Sequence, residues 1–352
     1  MLTPGKIRNL MNLADRDGRF KMLAIDQRGS LVRMISKAMN KDKSEVTYDE
    51  MLFMKKAIVV TLAPHASSVL IDPIYGYPNV VKYFPKGVGV LLAYEETGYT
   101  DEAGERLTHL LKDWTAEKIK RSGANAIKVL LYYRKDASPK VREHQESIVR
   151  QVGEEAKKYD IPFILEPVGY ALPKDGFEQK TPEYAKIKPR IVKEIVEEFS
   201  KDEYGVDILK IEFPADLKYT REFYKEFGNG KDYVYDLSEV KDFVKEVNAA
   251  AKKPWVVLSA GVDIDEFVEN VKLACEGGAS GFLGGRAIWK ESVNFMPNHD
   301  AVYDYLSTKG VENIERVKKA AESAKPFWDH PSIGGFQNLN VEGAGEDWYR
   351  NY

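Results

Sequence analysis

DILKIEFP, residues 207 to 214, is a short β-branched run with an ammonium group at its centre, Lys210. A strand of this composition is expected to be buried on both faces, which places a charged side chain where a core residue belongs. Seven further stretches share the form of an apolar run ending in polar or glycine residues. They are KMLAIDQRG (21 to 29), SSVLIDP (67 to 73), GVGVLLAYE (87 to 95), NAIKVLLYY (125 to 133), IPFILEPV (161 to 168), PWVVLSAG (254 to 261) and SGFLGGR (280 to 286). Between most of them lies amphipathic helical text, including residues 101 to 123, 140 to 160 and 183 to 205. Strand and helix alternate, and two-sided apolar strands in such a series form a parallel sheet covered by helices. Eight units without a break predict a single-domain (β/α)8 TIM barrel. An open doubly wound sheet is the alternative, but its Gly-rich first turn is replaced here by DQRGS.

The barrel domain is expected to span residues 1 to 325, with an N-terminal helix opening at Thr3 and Pro4. The connection IYGYPNVVKYFPKG, residues 74 to 87, is too rich in Pro, Gly and Tyr for a regular crossover helix. Residues 326 to 352 form an aromatic C-terminal tail, for which packing on the barrel, a flap over one end or a homo-oligomer contact all stay open. The formal net charge of -3 offers no basic field for nucleic acid or an anionic membrane. Apolar runs fall far short of the ~20 residues that cross a bilayer. The one cysteine, Cys275, sits in apolar helical text and excludes an intramolecular disulfide framework. A cytoplasmic protein is the expectation.

Barrels of this kind react at the C-terminal ends of their strands. The polar residues there are Asp26, Gln27, Asp72, Glu95, Lys128, Glu166, Lys210, Glu212, Ser259 and Arg286. Side chains alternate along a strand, so Lys210 shares a face with Ile208, and Lys128 with Ala126. If both faces point inward, two ammonium groups approach. Like charges at ~4 Å cost on the order of 4 kcal/mol at an effective dielectric near 20, which favours a neutral, nucleophilic amine. Such an amine condenses with a ketone, and the iminium then draws electrons from the neighbouring carbons. Glu166, flanked by apolar residues, is placed to move protons, and Asp26 to orient a lysine or a substrate hydroxyl. The glycines of LSAG and GGR precede helical text after the last two strands, where barrels frequently bind phosphate, and Arg286 can fork two phosphate oxygens.

No metal and no cofactor are expected. His65, His109, His144, His299 and His330 are scattered through helical or connecting text. Magnesium held by Asp26, Asp72, Glu95 and Glu166 is hard to reconcile with two lysines among them.

Several long motifs in order resemble the tagatose 1,6-bisphosphate aldolases, a class I aldolase group that also includes sulfofructose-phosphate aldolases. The carriers are AIDQRGSL, LIDPIYG, VLLAYEETGY, AIKVLLYY, FILEP, EYAKIKP, ILKIEFPAD, LSAGV and GFLGGRAIW. The resemblance implies that Lys210 forms the Schiff base, that Glu166 shuttles protons, and that Asp26 and Lys128 complete the reacting centre. It implies that Gln27 and Arg28 face the substrate beside Glu95. Ser259, Gly285 and Arg286 would hold the phosphate of the dihydroxyacetone phosphate half. The implied reaction is reversible cleavage of a ketose 1,6-bisphosphate, a sugar-phosphate step of lactose and galactose catabolism. Arg134 and Lys135 depart from the family pattern, and Arg134 is read as a solvated loop residue ahead of an added anion contact. A sulfofructose phosphate substrate remains open, as does a sugar-phosphate-binding regulator on the same barrel.

Overall fold

The computed structural model describes residues 2–228, 230 and 232–352. Eight parallel strands close on themselves: Phe20–Ile25, Ser68–Ile71, Gly89–Ala93, Ala126–Tyr132, Phe163–Val168, Ile208–Ile211, Trp255–Leu258 and Gly281–Gly284, called first to eighth below. Each pairs with its neighbours in the chain, and the eighth returns to the first with Phe20 opposite Gly281. Closure needs that glycine. A Cβ on Gly281, whose φ is +135°, would lie 1.9 Å from the Phe20 carbonyl oxygen.

Strand side chains divide between two cores, as their period of two requires. Outward residues such as Val69, Leu92, Val129, Leu165, Leu209 and Val257 pack against the surrounding helices. Inward residues, among them Ala24, Leu91, Ala126, Ile164, Ile208 and Val256, fill the barrel. Leu10 and Leu13 of the helix Pro4–Leu13 join that inner core from below, with Phe327, whose ring stacks on Phe20 at 5.4 Å. The start of the C-terminal tail thus helps to floor the barrel at its N-terminal end.

Several helices begin where the sequence supplies a cap. Thr47 and Glu50 exchange bonds at the start of Tyr48–Leu62, and Asp236 and Glu239 do so at Leu237–Ala250. The crossover after the second strand is irregular as expected, a single turn Tyr77–Val80 followed by a 3-10 turn. Residues 101 to 123 depart from the sequence reading. Instead of one long helix they open as a hairpin, Thr100–Glu102 with Glu105–Leu107, and only Ala116–Arg121 is helical. Ala103 and Gly104 both have positive φ, the geometry of a two-residue hairpin turn. The guanidinium of Arg106 lies 4.6 to 4.9 Å from the rings of Tyr99, Tyr132 and Tyr170, so cation–π contacts hold the hairpin to the barrel.

One buried pair braces the first strand from outside. Lys55 Nζ lies 2.5 Å from Asp72 Oδ1 and donates to the carbonyls of Ile25 and Gln27 at 2.7 and 2.9 Å. Both side chains are fully buried. Lys55→Met should therefore cost about 3–5 kcal/mol of stability by stranding the Asp72 carboxylate. Adding Asp72→Asn should recover part of the loss, as read from denaturant midpoints.

Candidate active site

The inner core stops one layer below the C-terminal rim. Two residues beyond Ala24, Ala126, Ile164 and Ile208 stand Asp26, Lys128, Glu166 and Lys210, on the same inward face. Four strands that carry small or aliphatic residues below thus carry charges above.

Lys128 is completely buried and meets three carboxylates: Asp26 Oδ2 at 2.7 Å, Glu95 Oε1 at 2.9 Å and Glu166 Oε2 at 2.8 Å. Lys210 Nζ lies 2.8 Å from that same Glu166 oxygen. The two ammonium nitrogens expected to face each other do so across a carboxylate, no farther apart than twice that distance. Burial alone would push the Lys128 ammonium down, but Asp26, Glu166 and Glu95 outweigh it and hold its pKa well above the ordinary lysine value. Burial would push the Asp26 carboxyl up, yet Lys128, Lys210 and Arg28 hold it well below the usual carboxylate range.

A cavity of about 280 Å³ opens above these groups, lined by Asp26, Gln27, Arg28, Glu95, Glu166, Lys210 and Arg286 among others. Arg28 donates to the Glu95 carbonyl at 2.7 Å, and the same nitrogen lies 3.7 Å from Glu95 Oε1. Its Nε and Nη1, together with Gln27 Oε1 and Glu95 Oε2, are buried with no hydrogen-bond partner among the described residues. Polar atoms so placed are costly unless a ligand engages them.

Ser259 and Gly285 lie side by side, with the Gly285 N–H 3.5 Å from Ser259 Oγ. A Cβ on Gly285 would lie 2.9 Å from Gln27 Nε2 and 3.0 Å from the Ala24 carbonyl, so glycine lets the last loop close on the first strand. Trp289, at the end of the turn Arg286–Trp289, donates to that Ala24 carbonyl at 3.0 Å and fixes the turn that carries Arg286 into the cavity.

Two sequence readings are corrected. Arg134 is neither solvated nor free for an anion: it is buried, bonded to Asp136 and Asp175 and to the Tyr170 carbonyl. Asp72, weighed as a strand-end acid, is sealed against Lys55. Lys55 and Tyr132 were not singled out from sequence. Tyr132 continues the inward series of Lys128 and Leu130 and lines the cavity, so alternation alone could have found it. Lys55 sits beside Lys56 in the apolar helical run MLFMKKAIVV, and a helical period that puts Lys55 with Met51 and Ile58 on the apolar face was the available signal. Among the described residues, no group of three or more His, Cys, Asp or Glu side chains is arranged to hold a metal ion.

Known proteins share the barrel. Fructose-bisphosphate aldolase from Plasmodium falciparum superposes over 92% of this chain and 98% of its own, with a TM-score of 0.63 at 13% identity. An archaeal fructose 1,6-bisphosphate aldolase covers 89% of this chain and 99% of its own, with a TM-score of 0.53 at 18% identity. These share the fold. In sequence, the chain is 37% identical over 334 residues to the tagatose 1,6-diphosphate aldolase of Lactococcus lactis subsp. lactis, spanning 94% of this chain and 99% of that one. It is 35% identical over 331 residues to tagatose 1,6-diphosphate aldolase 1 of Streptococcus mutans, spanning 93% and 98%. The DeoC/LacD family aldolase model matches residues 20–291. On the strength of that match and of these relatives, the chain belongs to the DeoC/LacD aldolase family.

Proposed function

We propose that this chain is a class I aldolase that cleaves a ketose 1,6-bisphosphate such as tagatose 1,6-bisphosphate, reversibly, to dihydroxyacetone phosphate and glyceraldehyde 3-phosphate. The carrying observation is the single Glu166 oxygen 2.8 Å from both Lys210 and Lys128. Of the two lysines, Lys128 is saturated by carboxylates, whereas Lys210 has one carboxylate partner and borders the cavity. Lys210 is the one free to react.

In this reading Glu166 takes a proton from Lys210, and the neutral amine adds to the C2 ketone. Glu166 returns that proton to the C2 hydroxyl, which leaves as water, and an iminium remains. The C3–C4 bond then breaks with its electron pair moving toward the iminium nitrogen, and a carboxylate at Glu166 receives the proton of the C4 hydroxyl. The aldehyde departs, C3 of the enamine takes a proton, and water returns to free Lys210 and dihydroxyacetone phosphate. Asp26 and Lys128 keep opposite charges throughout and orient the substrate hydroxyls. Ser259, Gly285 and Arg286 would hold the phosphate on C1, and Gln27, Arg28 and Glu95 would meet the distal half. The substrate class is a cytoplasmic metabolite, which suits a chain with one buried cysteine.

Borohydride added with dihydroxyacetone phosphate should trap an adduct on Lys210, located by peptide mass; an unmodified Lys210 at saturating ligand would sink the proposal. EDTA should leave the rate unchanged, because the carboxylates of the site are already occupied by an ammonium group. Glu166→Gln should lower kcat by about 10²–10⁴-fold in a coupled cleavage assay. Asp26 also sets a pH signature. Its folded pKa lies below its unfolded value of ~3.9, so its contribution to stability is full above that value and is lost as pH falls toward the folded one. Asp26→Asn should accordingly destabilise the protein at pH 7, and by progressively less as pH falls below about 3.9, as measured by urea midpoints.

A further inference from the structure

The ladder between the fifth and sixth strands is short. Its registered pairs are Ile164 with Ile208 and Leu165 with Leu209. On the far sides, the fifth strand stays paired with the fourth as far as Val168, and the sixth with the seventh as far as Ile211. The seam between these two strands therefore has no registered pair at the level where Glu166 and Lys210 stand, although each stays paired on its other side. A 2.8 Å contact between those two side chains needs something else to fix the separation of the strands that carry them.

Glu212 spans the gap. It is buried, two residues beyond Lys210, and its Oε2 accepts the N–H of Gly169 at 2.9 Å, three residues beyond Glu166. Gly169 is held on its other polar atom as well, since its carbonyl accepts from Gln179 Nε2 at 3.0 Å. On the sixth-strand side, Lys188 reaches from the helix Pro182–Phe199 to Asp216 Oδ1 at 2.5 Å and to the Ala215 carbonyl at 3.4 Å, fixing the segment that follows Glu212. The result is a closed circuit with the Glu166–Lys210 ion pair on one side and the Glu212–Gly169 bond on the other. Burying a carboxyl group here, away from the reacting cavity, is costly unless it is used.

We propose that Glu212 is a positioning residue for the aldol reaction, holding Lys210 opposite Glu166 by bridging the unpaired tops of the fifth and sixth strands through Gly169. The inference rests on the aldolase reading for its kinetic arm only. Displacing the amine by about 1 Å from its partner is enough to cost on the order of 10²-fold in rate. The bridge acts by hydrogen bonding and length, so an amide of equal reach replaces it and a shorter carboxylate does not.

The test compares Glu212→Gln, Glu212→Asp and Glu212→Leu in the full chain. Glu212→Leu and Glu212→Asp should each lower kcat by about 30-fold or more with KM within about 3-fold, and slow borohydride trapping on Lys210 in proportion. Glu212→Gln should recover most of both. Glu212→Asp keeps a buried carboxyl group and stands in if Glu212→Leu does not fold. Near wild-type rates in Glu212→Asp, or a Glu212→Gln as defective as Glu212→Asp, would overturn the proposal. Amide hydrogen exchange at Gly169 reports the bridge without substrate: protection kept in Glu212→Gln and lost in Glu212→Asp supports it, and equal protection in both overturns it. That arm stands even if the wild-type chain cleaves no ketose bisphosphate, so failure of the activity reading and failure of the bridge are separable.

Discussion

A fully buried lysine charge above the apolar core of the barrel is the constraint on which this structure turns. Lys128 has no exposure to water, and an isolated ammonium group there would be prohibitively expensive. Asp26, Glu95 and Glu166 converge on it from the first, third and fifth strand ends. Those three carboxylates are in turn faced by Lys128, Lys210 and Arg28, so the formal charges cancel across the cluster. Strand register, barrel closure and the bracing of the Asp26 segment by Lys55 all serve to bring these side chains to one point.

The same arrangement sorts two chemically identical side chains into different jobs. Lys128 is held by three acids and Lys210 by one, and that one acid is shared. A nucleophile must be able to give up its proton to something close, and Glu166 is close. An electrostatic fixture must not, and Lys128 is tied by too many partners to do so. Sequence reasoning expected repulsion between the lysines to activate one of them. The geometry instead sets a carboxylate between them, one oxygen within 2.8 Å of both nitrogens.

Much of this was legible from the chain because a barrel strand obeys a period of two. Ala24 then Asp26, Ala126 then Lys128, Ile164 then Glu166 and Ile208 then Lys210 repeat one rule, apolar below and charged above. That rule sufficed to name the four charged residues that the structure brings together. The helical text after the third strand misled because Asp101–Gly123 satisfies a helical pattern locally, while Ala103 and Gly104 turn the chain and Arg106 finds three tyrosine rings from elsewhere. Arg134 and Asp72 were misread for a related reason. Lys55, and Asp175 beside the local Asp136, come from other elements of the fold, and no local pattern announces such a pair.

The floor of the barrel bears on how the molecule comes into being. Phe327 stacks beneath Phe20 and shares the inner core with Leu10 and Leu13, and Leu2 bridges to Val341. The two ends of the chain therefore meet under the sheet. During synthesis, every residue of the reacting rim has been made once Arg286 is added, but the seal below it arrives only with Phe327. A chain that reached only Arg286 would hold every residue of the proposed site and still lack the ring that closes the barrel base.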